Sequence, residues 1–189
     1  MKYQKLNTLN TYAHVAMVLA WLVSQSFALA ETFTLQLGDT VAVDQPASGA
    51  GRIESAGERD TFYFTNTPGQ RVAFVSQGGD PAWVLRWTVV DAQGNQVLNR
   101  WISDWGQQVF TLPYAGTNRI VVYSNDGEAT GTYGFQVWPA AVEQFPIAFG
   151  QTVTNGVPGA GAGNIETPGA QDVYTFTAQA GQVVYLEGV

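Results

Sequence analysis

The sequence predicts an all-β protein, an antiparallel β-sandwich or jelly roll with one complete module and part of a second. Beyond the first 30 residues no segment sustains an apolar period of 3.6, whereas apolar residues alternate along many short runs, as strands with one buried face require. Gly-rich turns separate those runs, the punctuation of sandwiches and barrels. The chain also carries one passage twice: residues 33–77 align without a gap with residues 145–189, and 17 of the 45 positions are identical. Unrelated sequences at ordinary residue frequencies would share roughly three.

Taken in order, Phe33, Leu35 and Leu37 alternate until Gly38-Asp39 breaks the run. Phe62 and Phe64 share a face with Tyr63 opposite, Thr67-Pro68-Gly69 turns the chain, and Val72 and Phe74 alternate after it. Leu85, Trp87 and Val89 share the next face, and Asp91-Ala92-Gln93-Gly94-Asn95 reads as a hairpin loop whose Gly supplies a positive φ. Residues 97–102 return, 109–112 and 119–123 follow, and Asn125-Asp126-Gly127 reads as a second hairpin turn rather than half a cation loop. Tyr133, Phe135 and Val137 close the set. Short connections predict mainly antiparallel pairing. In the second passage Phe62, Phe64 and Ile53 become Tyr174, Phe176 and Ile165, and Val72 and Phe74 become Val184 and Leu186. The inward pattern is kept while outward Tyr63 and Arg71 become Thr175 and Val183, as a shared core requires.

The expected organisation is a leader over 1–30, a module over 31–139 and a partial second copy over 140–189. Lys2 and Lys5 open the leader, Val15 to Val23 is unbroken apolar sequence, and Ala28-Leu29-Ala30 is an A-x-A cleavage site. The run is too short to span a bilayer, which takes about 20 apolar residues, so no transmembrane segment is expected after cleavage. The expected location is secreted or at the cell surface. The second copy lacks counterparts of 78–139, which would leave Phe176, Val184 and Leu186 poorly covered, so the 189 residues are expected to be a fragment of a longer protein.

Cleavage would remove His14, the only His, and both Lys, leaving a chain without Cys, His or Lys. Six Arg then face fifteen Asp and Glu, for a net charge of −9. Nucleic acid and anionic membranes are poor partners for such a chain. Ser-His and Cys-His nucleophile systems have no base, and zinc has no His or Cys ligand. No enzyme activity is expected. Glu54 and Asp60 recur as Glu166 and Asp172. They are candidate Ca²⁺ ligands, since calcium takes hard oxygen donors. The alternative is structural: Asp60 accepts backbone N–H bonds at a strand entry and Glu54 sits on a solvated face. Trp87 shares phase with core residues, while Trp101 and Trp105 flank the polar break Ile102-Ser103-Asp104. These two are candidate ligand-binding rings for a sugar platform, or else they pack at an edge or between modules.

Asp60-Thr61-Phe62-Tyr63-Phe64, Gly69-Gln70-Arg71-Val72, Asp91-Ala92-Gln93-Gly94 and Gly131-Thr132-Tyr133-Gly134-Phe135-Gln136-Val137 occur in that order. In order and spacing they resemble the bacterial pre-peptidase C-terminal domain, over about residues 33–138 and again, in part, over 145–189. The resemblance implies a secreted, non-catalytic β-sandwich accessory module that assists export, surface targeting or partner binding of a larger extracellular protein. Related collagen-binding modules bind calcium, which makes Ca²⁺ the one expected cofactor. Expected partners are an extracellular protein or a polysaccharide surface. The other readings are a carbohydrate-binding module and the N-terminal part of an exported hydrolase.

Overall fold

The computed structural model describes residues 30–104 and 106–188. The expected leader, apart from Ala30, and Trp105 lie outside the described residues. Twelve strands and no helix are found among the described residues. One sheet is built from β1 (Glu31–Thr34), β4 (Arg59–Asn66), β9 (Gly116–Ser124), β6 (Leu85–Val90) and β7 (Gln96–Trp101), in the order β1-β4-β9-β6-β7. The facing sheet runs β2 (Thr40–Val41), β10 (Gly131–Pro139), β5 (Gln70–Asp80), β8 (Gln107–Leu112), with β3 (Arg52–Ile53) also on β10. A separate pair joins β11 (Val142–Pro146) to β12 (Gln171–Thr175).

The period of two explains the layers. In β4 the burial alternates, with Asp60, Phe62, Phe64 and Asn66 inward and Arg59, Thr61, Tyr63 and Thr65 outward. β9 repeats this with Asn118, Ile120, Val122 and Ser124 inward. Between the sheets lies an aromatic seam. Phe33 stacks on Phe62 at 4.9 Å, Phe62 meets Phe135 edge-on at 5.2 Å, and Trp87 lies 5.7 Å from Phe135 and 5.2 Å from Phe74. Phe62, Phe74, Trp87 and Phe135 are fully buried. Offset and edge-to-face rings gain beyond the area they bury, about 0.5–1.5 kcal/mol per pair. At one end of the seam Asn118 Nδ2 donates to Asn66 Oδ1 at 2.8 Å, and Asn66 Nδ2 donates to Tyr114 O at 2.9 Å.

The loop at 91–95 is the hairpin expected of it, joining antiparallel β6 and β7. Asp91 Oδ1 accepts the N–H groups of Gln93 and Asn95 at 2.9 and 2.8 Å, and Gly94 takes φ +88°. The turn at 125–127 is not a hairpin. It carries the chain from β9 in one sheet to β10 in the other. Asp126 Oδ1 closes it, accepting Ser124 Oγ–H and the N–H groups of Glu128 and Ala129. The Ser124 hydroxyl, followed by those N–H groups, holds the Asp126 carboxyl down at about 2. Short loops cross between sheets at several further points, so of all the consecutive pairs in the sandwich only β6 and β7 are partners. Pairing is mainly antiparallel, with β1 parallel to β4 as an exception.

That exception recurs 112 residues later. β11 pairs parallel with β12 so that Glu143 faces Asp172 and Phe145 faces Tyr174, matching Glu31 with Asp60 and Phe33 with Phe62. Phe145 stacks on Tyr174 at 5.5 Å. The isolated bridge Ala42 to Gln45 returns as Thr154 to Val157. Burial returns only in part: Phe145 and Ala162 are buried like Phe33 and Ala50. Ile165 and Leu186 are 55% and 79% exposed, where Ile53 and Phe74 are buried, and Phe149 and Phe176 meet beside an open groove. The segment is nonetheless docked on the sandwich. Thr167 Oγ1 donates to Pro139 O at 2.6 Å, Gln171 N donates to Ala141 O at 2.9 Å, and the turn at Gly169 lies against Ala73, Gln107 and Val109.

Trp87 ties both sheets together, so Trp87→Ala is expected to cost about 3–5 kcal/mol of unfolding free energy. Its indole N–H is buried without an acceptor. Trp87→Phe therefore removes an unpaired donor and is expected to cost clearly less. Denaturant titration of the two variants measures both.

Candidate cation site at the strand entry

Parallel pairing places Glu31 directly across from Asp60. Asp60 occupies an inward position of β4 and is fully buried. Its Oδ2 accepts the hydroxyl of Tyr133 from β10, and its Oδ1 has no hydrogen-bond partner. Glu58 reaches the same point from the turn before β4. Its Oε2 accepts the N–H groups of Glu54 and Ser55, both at 2.8 Å, and so fixes a tight loop over 54–58. Glu31, Glu58 and Asp60 each offer an oxygen, and these oxygens lie within 4.8 Å of one another. Glu31 Oε2 is buried and unpartnered as well.

The Gly-rich approach makes room for this. Gly49 has φ +91°, and a Cβ there would run into the Glu31 carboxylate. Gly161, with φ +91°, stands in the same relation to Glu143, whose Oε2 is also buried and unpartnered. The second site differs in two ways. Ala170 replaces the third carboxylate, and among the described residues no strand stands in for β10 to bring a second Tyr133. Instead Tyr174, at the Phe62 position, donates its own hydroxyl to Asp172 Oδ2 at 2.8 Å, and Gly163 N–H adds a bond at 3.0 Å.

Burial raises the Asp60 carboxyl to about 7, and the fields of Glu58, Glu31 and Glu54 add to this against the lowering effect of the Tyr133 hydrogen bond. Burial, followed by Glu58 and Glu54, also raises Glu31. The Tyr133 hydroxyl, buried beside Asp60, is pushed far above its ordinary range. Three converging carboxylates repel one another and are poorly solvated, so the cluster favours a proton or a cation. All its donors are hard oxygens, the set that Ca²⁺ takes.

Of the residues expected at a metal, Asp60 stands in the cluster and Glu54 does not. Glu54 pairs with Arg52, which also pairs with Asp44 at 2.8 Å. Asp172 faces Glu143, whereas Glu166 accepts Asn164 Nδ2 at 3.1 Å on the surface. Asp60 takes a hydroxyl and no backbone N–H, so its place differs from the structural alternative too. Glu31 and Glu58 are not singled out by the sequence pattern. For Glu31 a signal exists: Glu143 lies 112 residues on, two positions before the aligned block. Glu58 has none. Trp101 is half-buried on β7 with the Arg86 guanidinium 4.4 Å over its ring, and Trp83 is 73% exposed.

No family model and no curated protein matches the chain. Among solved structures, the pre-peptidase C-terminal domain of a collagenase from Bacillus anthracis is similar at 15% identity with a TM-score of 0.42, covering 59% of this chain and 99% of that one. A periplasmic inhibitor of g-type lysozyme from Aeromonas hydrophila is similar at 15% identity and TM-score 0.40, over 58% and 98% of the two chains. A mutant of the corresponding inhibitor from Escherichia coli stands at 12% and 0.35, over 58% and 99%.

The raised Asp60 carboxyl sets a pH dependence. Between about 3.8 and 7 the folded state holds a proton that the unfolded chain has released, so stability falls as pH rises through that window. In chelator, the melting temperature of the wild type is expected to drop from pH 5 to pH 7.5. Asp60→Asn is expected to flatten this drop; an unchanged slope in that variant would show that other groups cause it.

Proposed function

We propose that this chain is an exported, non-catalytic binding module of the pre-peptidase C-terminal type, present once complete and once in part. A calcium ion held by Glu31, Glu58 and Asp60 would fix its strand entry. One observation carries the reading. Among the described residues, the one cluster of three or more potential ligand side chains consists of carboxylates alone, and its central member is buried with an unpartnered oxygen. That chemistry suits a hard cation. The ordered sequence motifs and the leader-like sequence of residues 1–30 support the export and family parts of the reading. No helix among the described residues is long and apolar enough to cross a membrane. Bound calcium would anchor the first strand to the fourth, which holds the sandwich edge and both outer faces in shape for an extracellular protein or polysaccharide partner. The second site, with Glu143 and Asp172, has fewer charges and would bind more weakly.

Thermal melts with and without Ca²⁺ test this. Ligand at 100 times its dissociation constant stabilises by about 2.7 kcal/mol, so millimolar Ca²⁺ is expected to raise the midpoint and chelator to reverse it. Glu31→Gln and Asp60→Asn are expected to abolish the rise, and Glu54→Gln to leave it. A folded wild type with no calcium-dependent shift would count against the ion, as would a shift that survives in both cluster variants.

A further inference from the structure

The outward side of the β1-β4-β9-β6-β7 sheet holds an arrangement that the carboxylate cluster does not use. Register aligns Arg59 on β4 with Tyr123 on β9, Tyr123 with Arg86 on β6, and Arg86 with Trp101 on β7. Cations and aromatic rings therefore alternate across four strands. Arg59 lies 4.9 Å over the Tyr123 ring, and Arg86 lies 4.4 Å over Trp101. Arg86 is held further by Nε and Nη2, which donate to Asn99 Oδ1 at 2.9 and 2.6 Å. A third cation, Arg119, is exposed on β9 beside Tyr63.

The charge of this face runs against that of the chain. No Asp or Glu stands at an outward position of β1, β4, β9, β6 or β7. Among the described residues the ion pairs all belong to Arg52, so Arg59, Arg86 and Arg119 are not neutralised. Three uncompensated guanidinium groups on one face of a chain whose formal net charge is −7 call for an anionic partner. Arg86, already fixed by a ring and an amide, would lose little freedom on binding.

We propose that this face docks an anionic polysaccharide, with Arg59, Arg86 and Arg119 taking its carboxylates or sulfates and Tyr123 and Trp101 meeting its sugar rings. The proposal gives a partner to the binding module described above and rests on that reading. Strand spacing puts Arg59 and Arg86 about 10 Å apart, and Arg119 lies about 13 Å along β9 from their row. A small anion reaches one of these groups, while an extended polymer reaches all three. Nucleic-acid-binding domains are typically basic throughout, with a pI above about 9, whereas this chain's is near 4.4. A protein partner would seat an aromatic or aliphatic anchor in a pocket. Between the cations this face offers instead half-buried Thr61, Thr88 and Asn99, short groups that suit sugar hydroxyls.

Affinity electrophoresis of the full chain through gels holding polygalacturonate, heparin or neutral dextran tests the proposal. Retardation is expected in polygalacturonate, heparin or both, which separates carboxylate from sulfate recognition, and it should weaken with salt. Arg86→Gln is expected to weaken retardation at least tenfold, with Arg59→Gln and Arg119→Gln each reducing it. Arg100→Gln, which removes an exposed charge from the other side of β7, should leave it unchanged. Absence of retardation in both anionic gels overturns the proposal. So does equal retardation in dextran, an Arg100→Gln loss as large as that of Arg86→Gln, or stronger competition by polyglutamate or a single-stranded oligonucleotide than by the polysaccharide. Variants that keep the wild-type melting temperature are folded, so their loss reports on this face. A calcium shift without retardation removes the polysaccharide and leaves the module reading standing.

Discussion

The parallel pairing of the first strand with the fourth is the constraint on which the other features depend. One register sets Phe33 on Phe62 and Glu31 beside Asp60. The first contact extends the aromatic seam to the edge of the sandwich. The second brings like charges together where water cannot screen them. The two consequences cannot be separated, because a slip of one residue would turn Phe33 outward and move Glu31 off Asp60. Apolar packing and an electrostatic cost are thus fixed by the same few hydrogen bonds. The apolar gain is what holds the carboxylates in a place they would not choose.

The duplicated segment shows how that cost is met with fewer parts. In the complete sandwich, Tyr133 comes from β10, on the opposite sheet, to give Asp60 its one hydrogen bond. In the second copy the strand itself carries the hydroxyl on Tyr174, and Gly163 adds a backbone donor. Asp172 is also only half-buried, so its carboxylate keeps part of its hydration. Removal of the third carboxylate at Ala170 lowers the repulsion further. The Asp172 carboxylate is thus satisfied by donors from its own segment. Ile165 and Leu186 are exposed where Ile53 and Phe74 are not.

Alternation made the strands legible, and the inward assignments of Phe62, Phe64, Val72, Trp87 and Tyr133 agree with the burial. A period of two tells which side of a strand is buried. It does not tell which strand lies alongside. For that reason neither the parallel partner of β1 nor the crossing of the 125–127 turn between sheets could be read from spacing. The cation cluster was half legible, through Asp60, which recurs. Glu58 enters it by a local loop with no counterpart in the second copy, and Glu54, which does recur, turns to Arg52 instead. The row from Arg59 to Trp101 is invisible in the chain order, since its members come from four strands in the order β4, β9, β6, β7.

The turn around Gly169 rests on Ala73 and Val109, the outer side of the sheet that holds β5 and β8. That contact gives the sandwich a front and a back. Part of the back is covered within the molecule, so Ala73 is fully buried although it points away from the seam. The front carries the guanidinium groups, and Arg59 and Arg119 are exposed there. A molecule laid across the front would therefore meet a single, uninterrupted sheet surface, and its arrival would not have to displace the junction between the copies.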